Sequence, residues 1–268
     1  MLRQIFNRVL RESKESDQSS ALSENLLSLD SASIMKDGDG SLIDQSLRQV
    51  LTLNSHLKTK KHVKQPFNGI YVCKLLSTSG RELIIKELRN KDAKYSTSRS
   101  SFSNKSPPAP LTFNDFGCLP IIKELVETVF KPIISACFLN GESAKFPFTN
   151  AYLVDIFPGS KEIGLHTDSS DFTVNICLGG EFEGSEQYFQ GRRCKKHLNT
   201  WHRPEEHYEH THQPGFALIH RGSHRSGVYS IRKGRRRNLL VFLKHQPTVT
   251  NDVCSEWCGE HEALHIKP

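Results

Sequence analysis

The apolar positions of this 268-residue chain change rhythm near its middle. In the first half they recur at helical spacing. Ile121, Leu125 and Val129 fall on one helix face, with Pro120 suited to the first turn and Pro132 expected to end the helix. Ser79, followed three residues later by Glu82, predicts a capping box and a helix to about Asn90. Ahead of it, Gly69-Ile-Tyr-Val-Cys-Lys-Leu-Leu76 is a β-rich run, and the Ser- and Pro-laden residues 92–110 read as a loop. From residue 147 onward the period becomes two. Runs around 149–156, 171–178, 186–190, 215–221, 226–231 and 237–244 read as strands separated by Gly, Pro and charged turns. Helices followed by many short strands predict an α+β fold, with a double-sheet β core that helices support from outside.

Residues 12–64 are rich in Ser, Asp and Lys with scattered leucines, and end in the basic stretch Lys58 to Lys64. They read as disordered or loosely helical, so residues 1–64 are expected to form an extension and 65–268 the domain, with its core at about 145–245. Residues 1–11 are basic and amphipathic, as in a mitochondrial transit peptide, but Glu12, Glu15 and Asp17 follow at once and favour a short surface helix.

The net charge of +7 would tolerate an acidic partner. The basic residues are scattered, however, so a solvated surface rather than a nucleic-acid face is expected. Seven cysteines in no regular pattern suit thiols in a reducing compartment, which points to an intracellular place, cytoplasm or nucleus, with mitochondria as the alternative. No apolar run is long enough for a membrane span.

Chemistry concentrates at His166-Thr167-Asp168, which opens a β-type run. Two residues apart on a strand, an imidazole and a carboxylate project to one side and can take adjacent positions on a divalent metal. They are two-thirds of the facial triad that leaves open positions on Fe(II). A distant His on a late strand would close it, and His220 and His224 are both available. An Arg on the following strand would pair with a dicarboxylate in bidentate fashion. Arg236 shares a strand face with Asn238 and Leu240, whereas Arg235 and Arg237 face the other way. The crowd Cys194, His197, His202, His207, His210 and His212 meets no standard zinc spacing and reads as a polar loop. Cys254 and Cys258 with His261 and His265 have similar standing.

The order His-x-Asp, late His, Gly-x-Arg resembles the Fe(II)- and 2-oxoglutarate-dependent dioxygenases. In detail it is similar to the 2-oxoglutarate and iron-dependent oxygenase domain-containing proteins, relatives of prolyl and lysyl hydroxylases. The phrases that carry this are His166-Thr-Asp-Ser-Ser-Asp-Phe-Thr-Val-Asn-Ile-Cys-Leu-Gly179, Phe182-Glu-Gly184, Tyr188-Phe-Gln-Gly191, Pro214-Gly-Phe-Ala-Leu-Ile-His220 and Gly234-Arg-Arg-Arg-Asn-Leu239. The resemblance implies a double-stranded β-helix (jelly-roll) core and hydroxylation of a protein or small-molecule substrate. It also implies Fe(II) and 2-oxoglutarate, with L-ascorbate to rescue over-oxidised iron. Tyr152 matches a position where relatives hydrogen-bond 2-oxoglutarate, and Arg236 the co-substrate arginine. The family's distal metal His falls at 226, where this chain has Ser226. His224 lies on the same strand face about 6.6 Å further along. A β-bulge between 224 and 234 would absorb the offset, so His166, Asp168 and His224 are the expected ligands and His220 a histidine at the core edge or just behind the ligands. Loss of the distal His also leaves a rival reading, a catalytically impaired jelly-roll binding module.

Overall fold

A computed structural model describes residues 34–36, 41–98, 111–112, 119–160, 162–245 and 258. Order begins well ahead of the expected boundary at 65. α1 (Gln45–Thr52) is capped by Asp44, whose carboxylate accepts the Ser46 N–H at 3.1 Å, and α2 (His56–His62) follows directly. Leu42, Ile43, Leu47 and Leu51 are buried in the main core. Residues 41–63 therefore belong to the fold, and the reading of 1–64 as an extension is corrected there. Five apolar side chains, with Val63 added to these four, bring a polar-looking segment into the core. Residues 1–33 lie outside the described residues.

β1 (Lys64–Phe67) and β2 (Ile70–Lys74) form a hairpin that turns at Gly69, whose φ of +70° suits glycine. α3 (Thr78–Ser98) is longer than expected because nothing between Asp92 and Ser98 is Gly or Pro. Its cap is also two residues earlier than the Ser79 box, since the Gly80 N–H donates to Ser77 Oγ at 2.8 Å. Further along, α4 (Leu119–Leu125) passes through a π-turn (Val126–Phe130) into α5 (Lys131–Phe138). Pro132 thus does not end the helix. The Lys131 N–H reaches back five residues to Val126 O, and this wider turn accommodates the proline ring.

The strands then come in quick succession: β3 (Leu111–Thr112), β4 (Phe148–Ile156), β5 (Ile163–His166), β6 (Phe172–Gly179), β7 (Phe182–Gly184), β8 (Gln187–Arg192), β9 (His207–His210), β10 (Phe216–Arg221), β11 (His224–Val228), β12 (Ile231–Gly234) and β13 (Arg236–Lys244). All pairings are antiparallel. A seven-stranded sheet runs β1-β2-β10-β6-β13-β4-β3, a four-stranded sheet β5-β11-β8-β9, and β7 pairs β12.

Alternation assigns the two faces of the large sheet. Ala151, Leu153, Val174, Ile176, Ala217, Ile219, Leu239, Val241 and Leu243 pack with helix residues Leu47, Ile84, Leu125, Val129 and Ile133. The opposite face meets the small sheet, where Ile70 and Leu218 pack on Phe189 and Asn175 Nδ2 donates to Gln187 Oε1 at 2.9 Å. The candidate site lies between these two inner faces.

Candidate metal and co-substrate site

His166 ends β5 and Asp168 begins the loop into β6, and this loop is pinned to the β10–β11 turn. The Asp168 N–H donates to Gly222 O at 2.9 Å, and the Gly222 N–H to Asp171 O at 3.0 Å. The approach is so close that a Cβ at Gly222 would stand 1.9 Å from Ser170 O. Glycine is required here for space.

The two carboxylate oxygens of Asp168 have different neighbours. Oδ1 lies 3.5 Å from His166 Nε2. Oδ2 accepts a 2.6 Å hydrogen bond from the Thr173 hydroxyl and lies 4.0 Å from His220 Nε2. His220 arrives because it pairs with Thr173 across the β10–β6 ladder on the inner face. In both histidines Nδ1 stands against a carbonyl, Gly164 O at 2.8 Å for His166 and Arg221 O at 2.9 Å for His220. A carbonyl only accepts, so each Nδ1 carries a proton, and each Nε2 is left either to hold a second proton toward Asp168 or to offer its lone pair to a cation. His220 Nε2 is buried and has no partner.

Charge is arranged accordingly. Burial raises the Asp168 carboxyl, but the His166 hydrogen bond, the charges of His220 and His166 and the Thr173 hydroxyl outweigh it and hold the group below its usual range. Burial lowers His166, yet Asp168 and the Gly164 carbonyl carry it above 6.5. Burial lowers His220 against the pull of Asp168 and the Arg221 carbonyl, toward the neutral form that a metal ligand needs.

The other expected residues are placed as follows. His224 is buried with its ring edge-on to Phe189, and a Cβ at Gly69 would stand 3.5 Å from its Cε1. Its Nδ1 has no partner, and burial holds it well below 6.5. The ladder irregularities in this region insert the extra residue into β8 and β5, the strands that flank β11. Ser226, not His224, is the residue paired with His166. Among the described residues, neither His166, Asp168 and His224 nor His166, Asp168 and His220 have ligand atoms that all lie within 4.8 Å of one another.

Arg236 is 1% exposed and donates to Ser185 O, while its Nε has no partner. Burial pulls its pKa down to about 10, against the pull of Cys177 and Glu186, so it stays a cation at neutral pH. Arg235 and Arg237 instead grip Asp155, each through Nε and an NH2 nitrogen. Between Arg236 and the Asp168 end of β6 runs a polar chain. Asn238 Nδ2 donates to Asn175 Oδ1 at 2.6 Å, Asn175 donates to Gln187, and His212 Nε2 stands 3.2 Å from Gln187 Oε1. Tyr152 shares this sheet face, its hydroxyl accepting from Asn150 Nδ2 at 2.9 Å and its ring tilted on Phe242. Its ladder partner is Leu240, four residues along β13 from Arg236, about 13 Å of strand.

Three groups could hold a metal here. Cis ligand atoms with metal bonds of about 2.1 Å stand about 3 Å apart. His166 Nε2 is within half an ångström of that from Asp168 Oδ1, whereas His220 Nε2 is about 1 Å wide of it and from the other oxygen, Oδ2. The sequence reading sets His220 at the core edge or behind the ligands; the register that brings it to Asp168 puts residues 218 and 220 on the same face as Thr173 and Asn175.

No family model matches the chain. Among curated proteins it is 30% identical over 217 residues to the Arabidopsis thaliana "2-oxoglutarate and iron-dependent oxygenase domain-containing protein CP2", covering 77% of this chain and 54% of that protein. It is 28% identical over 164 residues to the human "2-oxoglutarate and iron-dependent oxygenase domain-containing protein 2", covering 58% and 45%. The chain thus spans about half the length of the curated relatives it matches. Among solved structures, AviO1 from Streptomyces viridochromogenes covers 78% of this chain and 98% of its own at 13% identity and a TM-score of 0.50, a likeness of fold alone. An oxidoreductase of the 2OG-Fe(II) oxygenase family from Burkholderia pseudomallei covers 75% and 95% at 14% identity and a TM-score of 0.49. Over the stretch they share, the chain is a homologue of the 2-oxoglutarate and iron-dependent oxygenase domain-containing proteins.

Proposed function

We propose that the chain is an Fe(II)- and 2-oxoglutarate-dependent dioxygenase with a jelly-roll core that hydroxylates a protein or small-molecule substrate. The observation that carries this reading is the convergence of two proton-anchored imidazoles, His166 and His220, on the buried Asp168 carboxylate. Iron bound there would supply O2 activation coupled to loss of CO2 from 2-oxoglutarate, with ascorbate as the rescuing reductant.

The residues of the chain do the holding. Gly164 O and Arg221 O keep the Nδ1 protons in place, so both Nε2 lone pairs point toward the cation position. Thr173 donates to Asp168 Oδ2 and leaves Oδ1 for the metal. The proton that Asp168 favours on His166 departs to solvent when a cation takes its place. Arg236 would take the distal carboxylate of the co-substrate, since a buried guanidinium with an unfilled Nε–H calls for an anion. Tyr152, about 13 Å of strand from Arg236 and bonded to Asn150, does not share that end, so the expected role for it beside Arg236 is withdrawn. Ile156, Val228 and Ile231 pack together between the sheets and limit water there.

We assign the third protein ligand to His220 in place of the expected His224. A second reading keeps His224, because its Nδ1 is also buried without a partner. Anaerobic titration with Fe(II) and 2-oxoglutarate, watched for the visible charge-transfer band of the chelate, tests the function directly. A band that appears in the wild type, persists in His224→Ala and is lost in His220→Ala is expected. Loss in His224→Ala alone would restore the second reading. No band with any metal loading, and no succinate formed with ascorbate present, would leave the binding module in its place.

A further inference from the structure

Away from that site, the structure joins residues from the two Cys/His groups that the sequence kept apart. β8 leads into a 3-10 turn, Lys195–His197, capped by Cys194, with the His197 N–H donating to Cys194 O at 3.0 Å. Side chains three apart eclipse on such a turn, and Cys194 Sγ lies 3.3 Å from His197 Nδ1. Cys258, far along the chain, comes to the same point. Its Sγ lies 3.5 Å from the same His197 Nδ1 and accepts the Cys194 N–H at 3.5 Å. Among the described residues, this is the one trio of ligand-type side chains whose ligand atoms all lie within 4.8 Å of one another. Both cysteines are fully buried.

We propose that Cys194, His197 and Cys258 form a second metal site, for zinc. Zinc bonds of about 2.3 Å to sulfur and 2.0–2.1 Å to nitrogen in a tetrahedron put S and N about 3.5 Å apart, close to the spacing seen here. The donor sets differ within one chain. Two thiolates and an imidazole select a soft or borderline ion, whereas the imidazole–carboxylate set at Asp168 suits Fe(II). On binding, two Zn–S bonds and one Zn–N bond form, the two thiol protons leave to solvent, and the two thiolates cancel the ion's charge. The fourth position falls to water or to a ligand that the described residues do not supply.

Such a site would staple Cys258 to the loop between β8 and β9. That loop is already centred on buried arginines. Arg193 makes a bidentate pair with Glu206 at 2.7 and 2.8 Å, and Arg225 of β11 donates to Leu198 O and Thr200 O. β11 also carries Ser226 opposite His166, so the staple would brace the strand that backs the iron site.

The test uses the full chain, purified under reducing conditions and analysed for metals. One zinc per chain should survive a chelator wash that strips iron. Co(II) replacing it should give the intense thiolate-to-cobalt charge-transfer band. Cys194→Ser and His197→Ala should each cut zinc retention at least ten-fold, while Asp168→Ala leaves it unchanged. Substituting a buried cysteine can itself unfold a protein, so the half-buried His197 is the deciding variant, read alongside circular dichroism. Full zinc retention in a folded His197→Ala, absence of the cobalt band in the wild type, or a Cys194–Cys258 disulfide found by peptide mapping would each overturn the proposal.

Discussion

At the scale of single residues, Ser226 and Gly222 decide what Asp168 can do. Ser226 pairs with His166 on the inner face, so Ser226→His would bring an imidazole to the side of the site that lacks one. We expect Ser226→His to tighten Fe(II) retention at least ten-fold in equilibrium dialysis; unchanged retention would show that the position does not reach the cation. Gly222→Ala tests positioning without touching a ligand. Its Cβ would strike Ser170 O at 1.9 Å and must push the Asp168 loop aside. Iron binding should fall while the melting temperature drops by only a few degrees, about 1–2 kcal/mol. Arg236→Ala should weaken 2-oxoglutarate binding by about 2–4 kcal/mol in isothermal titration, as expected for one partner of a buried charge pair. Arg235→Ala should cost well under 1 kcal/mol, because Arg235 is largely exposed and Asp155 keeps Arg237. Equal losses for both arginines would remove Arg236 from the site.

At the scale of elements, the helical layer matters more than its composition suggests. Leu42, Ile43, Leu47 and Leu51 are at most 7% exposed, so a chain starting at Gln65 exposes all their contacts. At about 1.5–3 kcal/mol for each buried side chain, four of them match the whole net stability of a typical domain. The truncated chain should aggregate or melt far below the full one in scanning calorimetry; an unchanged melting temperature would show that α1 and α2 are ornaments. Leu47→Ala alone should cost about 2–5 kcal/mol.

Across the whole molecule, ion pairs tie distant segments together, and their loss should shape the acid limb of stability. Burial raises Glu206, but the Arg193 hydrogen bonds and charge and the Arg203 N–H outweigh it, and its folded pKa is lowered. Asp155 is likewise lowered, with burial outweighed by Arg237 and Arg235. A depressed folded pKa means the contribution is complete above the unfolded value of about 4, and is lost as pH falls through the folded one. Buried histidines such as His224 and His210, held below 6.5, already cost stability as pH falls below about 6.5, so thermal melts should decline from there and fall more steeply below about 4, where the carboxylates add. Glu206→Gln should lower the stability at neutral pH and flatten the steep part of that fall. An acid limb identical to wild type would show that the pair contributes nothing.

How much of this was legible beforehand follows from the range of the interactions. Strands with period-two alternation are local facts, so β4, β6, β10 and β13 lie within a residue or so of their expected bounds. The inward turn of Arg236 against its two neighbours is local for the same reason. His166 and Asp168, two residues apart, were visible as a pair. What escaped depends on pairing across the chain. His220 meets Asp168 only because β10 lies beside β6 in a register that sets it against Thr173. The irregularities that leave Ser226 opposite His166 sit in β5 and β8, on partners that no local spacing identifies. Pro132 continues a helix because a π-turn precedes it. Cys194 and Cys258 meet through a fold that brings residues 64 apart into hydrogen-bonding distance. The alternation of side chains along one strand is set by backbone geometry within a few residues, and the sequence alone determined it. Which strands become neighbours is settled by burying the shared core, and only the tertiary structure decided that.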